Sequence, residues 1–359
     1  MYFQTARDVP LGYAGLSRIL PRDSQQDAQF VPVEDRWRIG FPEWDRYGKG
    51  HPVGDDYPYV QGRWWDPFNQ NVLKGDYPIL GQNIFLEVTG TTQTLLEPRQ
   101  TPIATTPFES TANPDSKDFF GRPGQLLYAQ NFFLSLDLFH GDAAFRPVDW
   151  RVKLTPVFNF NNFALNELAV VSPDVTKGTT RARTFVTLQE WFVESKLADL
   201  GPDYDFVSIR AGAQPFTSDF RGFIFSDTNR GVRLFGNRLS NRDQFNLVYF
   251  NQLEKDTNSL LNTFHDRHQQ VVIANYYRQD FLFPGYTAQL SIHYDHDSPT
   301  FKFDTNGFLV RPDPVGVFQT HTVDVVYLGW AGDGHINHLN INHATYWALG
   351  HDTLNPLAN

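Results

Sequence analysis

The 359-residue chain has no cysteine and a single methionine. Without cysteine there is no disulfide framework, no thiolate zinc site and no cysteine nucleophile, and such a chain is compatible with an oxidising compartment. Long apolar runs are also missing. Nothing approaches the roughly 18 consecutive apolar residues of a membrane-crossing helix, and mean hydropathy is −0.41, so a helical membrane protein is excluded. Basic charge is in short supply. A formal net charge of −10 argues against nucleic acid, whose binding rests on clustered Lys and Arg, and its ordinary consequence is solubility. The N-terminal MYFQTARDVPLGYAG lacks the basic stretch and apolar core of a secretory signal, which leaves a cytoplasmic protein or a mature or partial chain. No nucleophile elbow, phosphate loop or dinucleotide fingerprint is present, and no motif recurs at about 20–50 residues as in propellers or solenoids.

What the chain does have is aromatic residues, with 32 Phe, 15 Tyr and 8 Trp, and strict alternation. In VDWRVKLTPVFNFN (148–161), Val148, Trp150, Val152, Leu154, Phe158 and Phe160 share one parity. Asp149, Arg151, Lys153, Thr155, Asn159 and Asn161 share the other. Period two is the pattern of a strand with one apolar and one wet face. Residues 1–80 show no such period and are dense in Pro, Gly and Trp, which break helices and central strands. They read as an irregular segment, either periplasmic or plugging a lumen.

From residue 83 onward eleven strands follow, at 83–95, 126–139, 148–160, 183–197, 205–215, 231–237, 243–250, 268–279, 286–296, 318–329 and 336–349. Most exceed the usual ~5–6 residues and suit the ~9–11 that a tilted strand needs to cross a bilayer. The connections alternate, long at 97–124, 161–181, 217–230, 251–266 and 297–316, short at 140–147, 199–204, 238–242, 280–285 and 330–335. That sorting is the layout of an outer-membrane barrel. In YTAQLSIHYDHD, Tyr286, Ala288, Leu290, Ile292 and Tyr294 oppose Thr287, Gln289, Ser291, His293 and Asp295, with a Tyr at each end of the apolar band as in an interfacial girdle. QQVVIANYYRQD and TFVTLQEWFVESKL mix parities. The second also fits an amphipathic helix, and its turn LGPDY favours a hairpin. NQLEKDTNSLLNTF reads as a short helix within a long loop.

The fold expected is therefore all-β, an antiparallel up-and-down transmembrane β-barrel over 83–359. An odd strand count leaves a sheet edge open, so the chain is expected to be a fragment lacking its signal and its C-terminal strands. LQEWFVESKLADLGPDYDFVSIRAGAQPFTSDF resembles a hairpin of Gram-negative porins, the phosphate-selective family among them. The resemblance rests on Phe192, Val193 and Glu194, then Arg210, Gly212, Pro215 and Phe216, about a tenth of the chain. It implies an outer-membrane location and passive passage of ions or small polar solutes, with no catalysis and no cofactor. The acidic net charge does not suit an anion preference.

If the apolar parity meets lipid, the lumen is lined by Glu87, Asp137, Asp149, Arg151, Lys153, Arg210, Gln214, Arg233, Gln289, His293, Asp295 and Asp324. Opposed acids and bases there would order water and select polar solutes. Asp219, Arg221, Asp227 and Arg230, set among Phe220, Phe223 and Phe225, are a candidate constriction loop. His293, Asp295 and Asp297 share a strand face, but His335, His338 and His343 do not converge, and no metal is expected. The partners are the lipid bilayer and small solutes, not nucleic acid, and an oligomer is compatible with the class. The alternatives are a plugged structural or binding barrel and a soluble secreted β protein that binds or hydrolyses carbohydrate, with Glu43, Asp45, Asp55 and Asp56 as its only candidate carboxylates.

Overall fold

A computed structural model describes residues 63–66, 68, 71–76, 78–101, 123–142, 146–312 and 316–354. The strands are β1 (Ile84–Gln100), β2 (Gly124–His140), β3 (Trp150–Leu165), β4 (Thr180–Asp199), β5 (Phe206–Thr217), β6 (Ser226–Arg238) and β7 (Asp243–Lys255). They continue with β8 (Asn262–Arg278), β9 (Tyr286–Asp297), β10 (Lys302–Phe303), β11 (Leu309–Arg311), β12 (Val323–Ile336) and β13 (Leu339–Asp352). Eleven of them form one antiparallel up-and-down sheet in chain order, with β9 next to β12, while β10 and β11 pair separately within the β9–β12 connection. The sheet is not closed, and β1 and β13 are its edges. Each of the eleven strands expected from alternation is present. Of the N-terminal segment 1–80, residues 1–62 lie outside the described residues. The part just before β1 is turn-rich and covers the start of that edge, with Val88 N–H on Leu73 O (2.7 Å) and Ile79 N–H on Ile84 O (2.8 Å).

Three expectations are corrected. The tight turn placed at 330–335 is strand, and the reversal sits at 337–338. Gly332 and Gly334 lie within this strand and serve close packing, since a Cβ on Gly332 would collide with the Tyr286 hydroxyl and with His343. The helix expected in NQLEKDTNSLLNTF does not form. β7 runs on to Lys255, and Asp256 closes a turn by accepting from Asn258 N–H (3.2 Å) and Ser259 N–H (2.9 Å). That turn, 256–261, is as short as those at the other end of the sheet, and the connection 218–225 is no longer than 141–149, so the loop sorting holds at 101–123, 166–179 and 298–322 but not at the expected long loops 217–230 and 251–266. Finally, β4 mixes its parities because of a bulge: Thr155 pairs with Glu190 but Pro156 with Leu188. The extra residue moves the inward set from Arg181, Arg183, Phe185 and Thr187 to Glu190, Phe192 and Glu194.

The sheet curls. β4 and β8 are four strands apart, about 19 Å on a flat ladder, yet Thr187 Oγ1 donates to Asn262 O at 2.6 Å and Asn262 N–H donates to Gln189 Oε1 at 2.8 Å. Its two faces have opposite chemistry, and the polar one is the buried one. Asn159, Asn161, Thr187, Glu194, Gln214, Asn275, Gln289, Ser291 and His293 are buried on the inner face. On the outer face Leu154, Phe158, Val186, Val193, Val232, Leu247, Leu290, Ile292, Trp330, Trp347 and Leu349 are exposed. The outer band is interrupted on β1 and β2, where Gln130 donates to Thr92 Oγ1 (2.8 Å) and accepts from Thr94 (2.5 Å).

Candidate functional site

Directly opposed residues of an antiparallel ladder point to the same face, so the register assigns the expected pore-lining set. One row runs Phe139, Arg151, Glu194, Arg210, Arg233, Val248, Ile273, His293 and Tyr327. Glu87, Asp137 and Lys153 form the start of the next row, and Asp295 lies further along it. Gln214 and Gln289 share the same inner face. Asp149 sits at its short-connection rim, bound by Lys196 Nζ and His140 Nδ1, each at 2.9 Å. Asp324 is the exception. It pairs with His296 on the outer face and accepts from Tyr294 OH at 2.8 Å, because β12 alternates in step with Leu328 and Trp330 rather than against them.

Several of the inner charges are paired. Arg151 meets Asp137 at 3.2 Å, Lys153 meets Glu190 at 2.8 Å, and Arg210 donates twice to Glu194, at 3.0 and 2.6 Å. Arg210 and Arg233 stand directly opposite each other, an unfavourable arrangement for like charges. Glu194 neutralises the first, and Asn246 Oδ1 accepts from Arg233 Nε at 2.8 Å. The Phe235 ring lies 5.3 and 4.4 Å from the two guanidinium carbons, where its π face attracts both. Sequence reasoning missed Glu190, Glu194, Asn246 and Tyr277, of which the first two were hidden by the β4 bulge.

The loop 218–225 between β5 and β6 folds onto this face. Ser218 O accepts from Gln289 Nε2 (2.6 Å), Asn275 Nδ2 (2.7 Å) and Tyr277 OH (3.1 Å). Phe225 packs on a small apolar cluster of Phe216, Val248, Phe250, Val271 and Ile273, and Phe223 stacks on Tyr346 of β13 at 5.6 Å. The loop is organised by Asp219, which accepts from the backbone N–H groups of Arg221 (2.9 Å), Phe223 (3.1 Å) and Ile224 (3.2 Å). Burial alone would raise the Asp219 pKa, but these N–H donors outweigh it and hold it below its ordinary value. The four residues proposed as one constriction separate. Asp219 and Arg221 are in the loop, whereas Asp227 is on the inner face of β6, held by Lys255 at 2.6 Å. Arg230 alternates to the outer side and pairs with Asp266 at 3.1 Å.

No protein-family model, curated protein or solved structure matches this chain. The site therefore has to be interpreted from its own geometry: a concave wall of paired charges and amides, narrowed by a loop that lies on it. Among the described residues no group of His, Asp and Glu is placed to hold a metal ion.

Proposed function

We propose that this sheet is the main wall of a porin-like channel in an outer membrane, which passes ions or small polar solutes without doing chemistry on them. The observation that carries the proposal is the inverted polarity, with buried Gln, Asn, His and Glu on one face and exposed Leu, Ile, Phe and Trp on the other. In water an apolar face this continuous is an aggregation liability, whereas in hydrocarbon it is the stable face and the polar side chains belong inside. No described helix is long and apolar enough to cross a membrane, so any crossing is made by strands.

A sheet in lipid must have no free edge. Eleven antiparallel strands leave β1 and β13 running in the same direction, so their direct union would be a parallel seam. Closing the wall with antiparallel ladders throughout takes an odd number of further strands. A second copy in the same orientation does not supply them, because its β1 would also meet β13 in parallel. β13 itself, LNINHATYWALGHD, carries no Lys, Arg or Pro to blunt pairing.

The test is heat-modifiable migration, detergent dependence and single-channel conductance in a planar bilayer. Stepwise conductance with a dependence on salt supports the channel. A folded, detergent-dependent protein that never conducts supports the plugged barrel, which the in-folded loop 218–225 favours. Full solubility in plain buffer sinks both and returns the chain to the soluble carbohydrate-binding class.

A further inference from the structure

At the loop 218–225 the inner face holds a half-open cavity of about 230 Å³, lined in part by Phe223, Phe225, His293, Asp295 and Tyr327 and, among the described residues, by no Lys or Arg. Two of its groups are unusual for this protein. His293 is 1% exposed and, among the described residues, neither ring nitrogen has a hydrogen-bond partner, although buried polar atoms are ordinarily satisfied. Among the same residues Asp295 has no cation within ion-pair distance, in contrast to Asp137, Glu190, Glu194, Asp227 and Asp297 on the same face. Its two oxygens share one donor, Gln269 Nε2, at 2.9 and 3.0 Å, which leaves acceptor capacity unused. Arg267 on the adjacent strand is committed to Asp297 through two bonds at 2.7 and 2.6 Å.

We propose that this cavity is a subsite for the primary ammonium group of a small organic cation. The ammonium carries three N–H donors, and the cavity presents acceptors for them in the Asp295 carboxylate, a ring nitrogen of His293 and the Tyr327 hydroxyl. Phe223 and Phe225, each stacked on one side by Tyr346 and Phe250, line the same space, and such rings suit an organic cation and its first methylenes. Water fills about 30 Å³ per molecule in the liquid, so the space admits an ammonium head with a short alkyl arm but not a drug-sized ligand. His293 and Asp295 do not amount to a metal site, since among the described residues no third ligand joins them.

The subsite rests on the inner-face geometry alone, so a failure to conduct would leave it standing. The experiment titrates butylammonium chloride into the whole chain in detergent micelles by calorimetry, with sodium chloride and tetramethylammonium chloride at equal ionic strength as comparisons. Saturable binding of butylammonium is expected, weaker binding of tetramethylammonium, which has no N–H, and none of sodium. Asp295→Asn is expected to weaken butylammonium by about tenfold or more, the scale of one charge-assisted hydrogen bond. If that variant does not fold, Phe223→Ala on the loop decides, with a loss of several-fold expected. Heats equal to those of sodium chloride, or an affinity unchanged in the deciding variant, overturn the proposal and leave ordered water as the occupant.

Discussion

Leu290→Arg tests the inside-out assignment most directly, because the two environments predict different magnitudes for the same substitution. Leu290 lies near the middle of β9, 62% exposed, directly opposite Tyr276 on β8 and Trp330 on β12. On a water-facing surface such a change alters stability by no more than about 0.5 kcal/mol. Against acyl chains, Arg near the bilayer midplane costs about 2–4 kcal/mol, less toward the interfaces. At 1.4 kcal/mol per tenfold, that is a loss of roughly 30- to 700-fold in the folding equilibrium. Denaturant titration in lipid vesicles, followed by tryptophan fluorescence and by the gel shift of the folded form, measures it. Val152→Arg on β3 carries the same expectation at an independent position. A destabilisation below about 0.5 kcal/mol in vesicles for both would refute the assignment of the apolar face to lipid.

Lys153→Glu exchanges a 2.8 Å ion pair with Glu190 for a repulsive pair close to Asp137. Folding should survive, since the site is partly hydrated, and the reversal potential under a potassium chloride gradient should move toward potassium. Asp219→Asn removes the charge that accepts three N–H groups of the loop, and the expected result is faster proteolysis between Phe220 and Phe225 with a local loss of about 1–3 kcal/mol. The pH dependence has a definite sign. A carboxylate held below its ordinary pKa in the folded state contributes stability that is present above the unfolded value and is lost as pH falls through the folded one. Loop protection should therefore persist at neutral pH and fail only on acidification past the ordinary aspartate range, and Asp219→Asn should flatten that profile. Cysteines at Thr91 on β1 and Ala344 on β13, both on the inner face, in a chain with no native thiol, should form no intrachain disulfide, and efficient cross-linking would show direct β1–β13 closure instead.

The strands were legible because alternation is a local property. Val152 against Lys153, or Ile292 against His293, states the two faces without any knowledge of neighbours, and the register then carries those faces across the sheet. Loop ends were less legible. β7 and β8 extend through NQLEKDTNSLLNTF because the turn is closed by Asp256 and Ser259, a local hydrogen-bond pattern that a helical reading of the same residues obscures. The 330–335 error has a different origin. Glycine marks turns when it supplies backbone freedom, but Gly332 supplies absence of bulk beside Tyr286, and sequence alone does not separate the two. Asp324 was misassigned because β12 carries apolar residues on both parities, Val323 and Val325 on one and Val326 and Leu328 on the other, and its outer position is fixed by pairing with His296.

The strands that broke the alternation turn out to be the informative ones. In a sheet with a polar inside and an apolar outside, an apolar residue of inward parity needs a cause, and this chain shows two. β4 mixes parity because an inserted residue shifts its phase at Gln189, so that beyond it Glu190, Phe192 and Glu194 point inward. β8 keeps its phase from Gln269 to Arg278, and Val271 and Ile273 point inward as apolar residues because Phe225 of the loop 218–225 lands near them. A bulge predicts that polarity reverses along the strand, whereas a landing site predicts apolar residues on both faces over one short span. QQVVIANYYR has the second pattern: Val271, Val272 and Ile273 are consecutive, and Asn275 and Tyr277 beyond them hold Ser218. The seat of the loop is therefore encoded twice, once in the aromatic loop and once in the strand that receives it. Replacing Ile273 by Asn would keep the polar lining continuous while removing part of that seat, and the loop, still capped by Asp219, would lose its apolar contact with the wall.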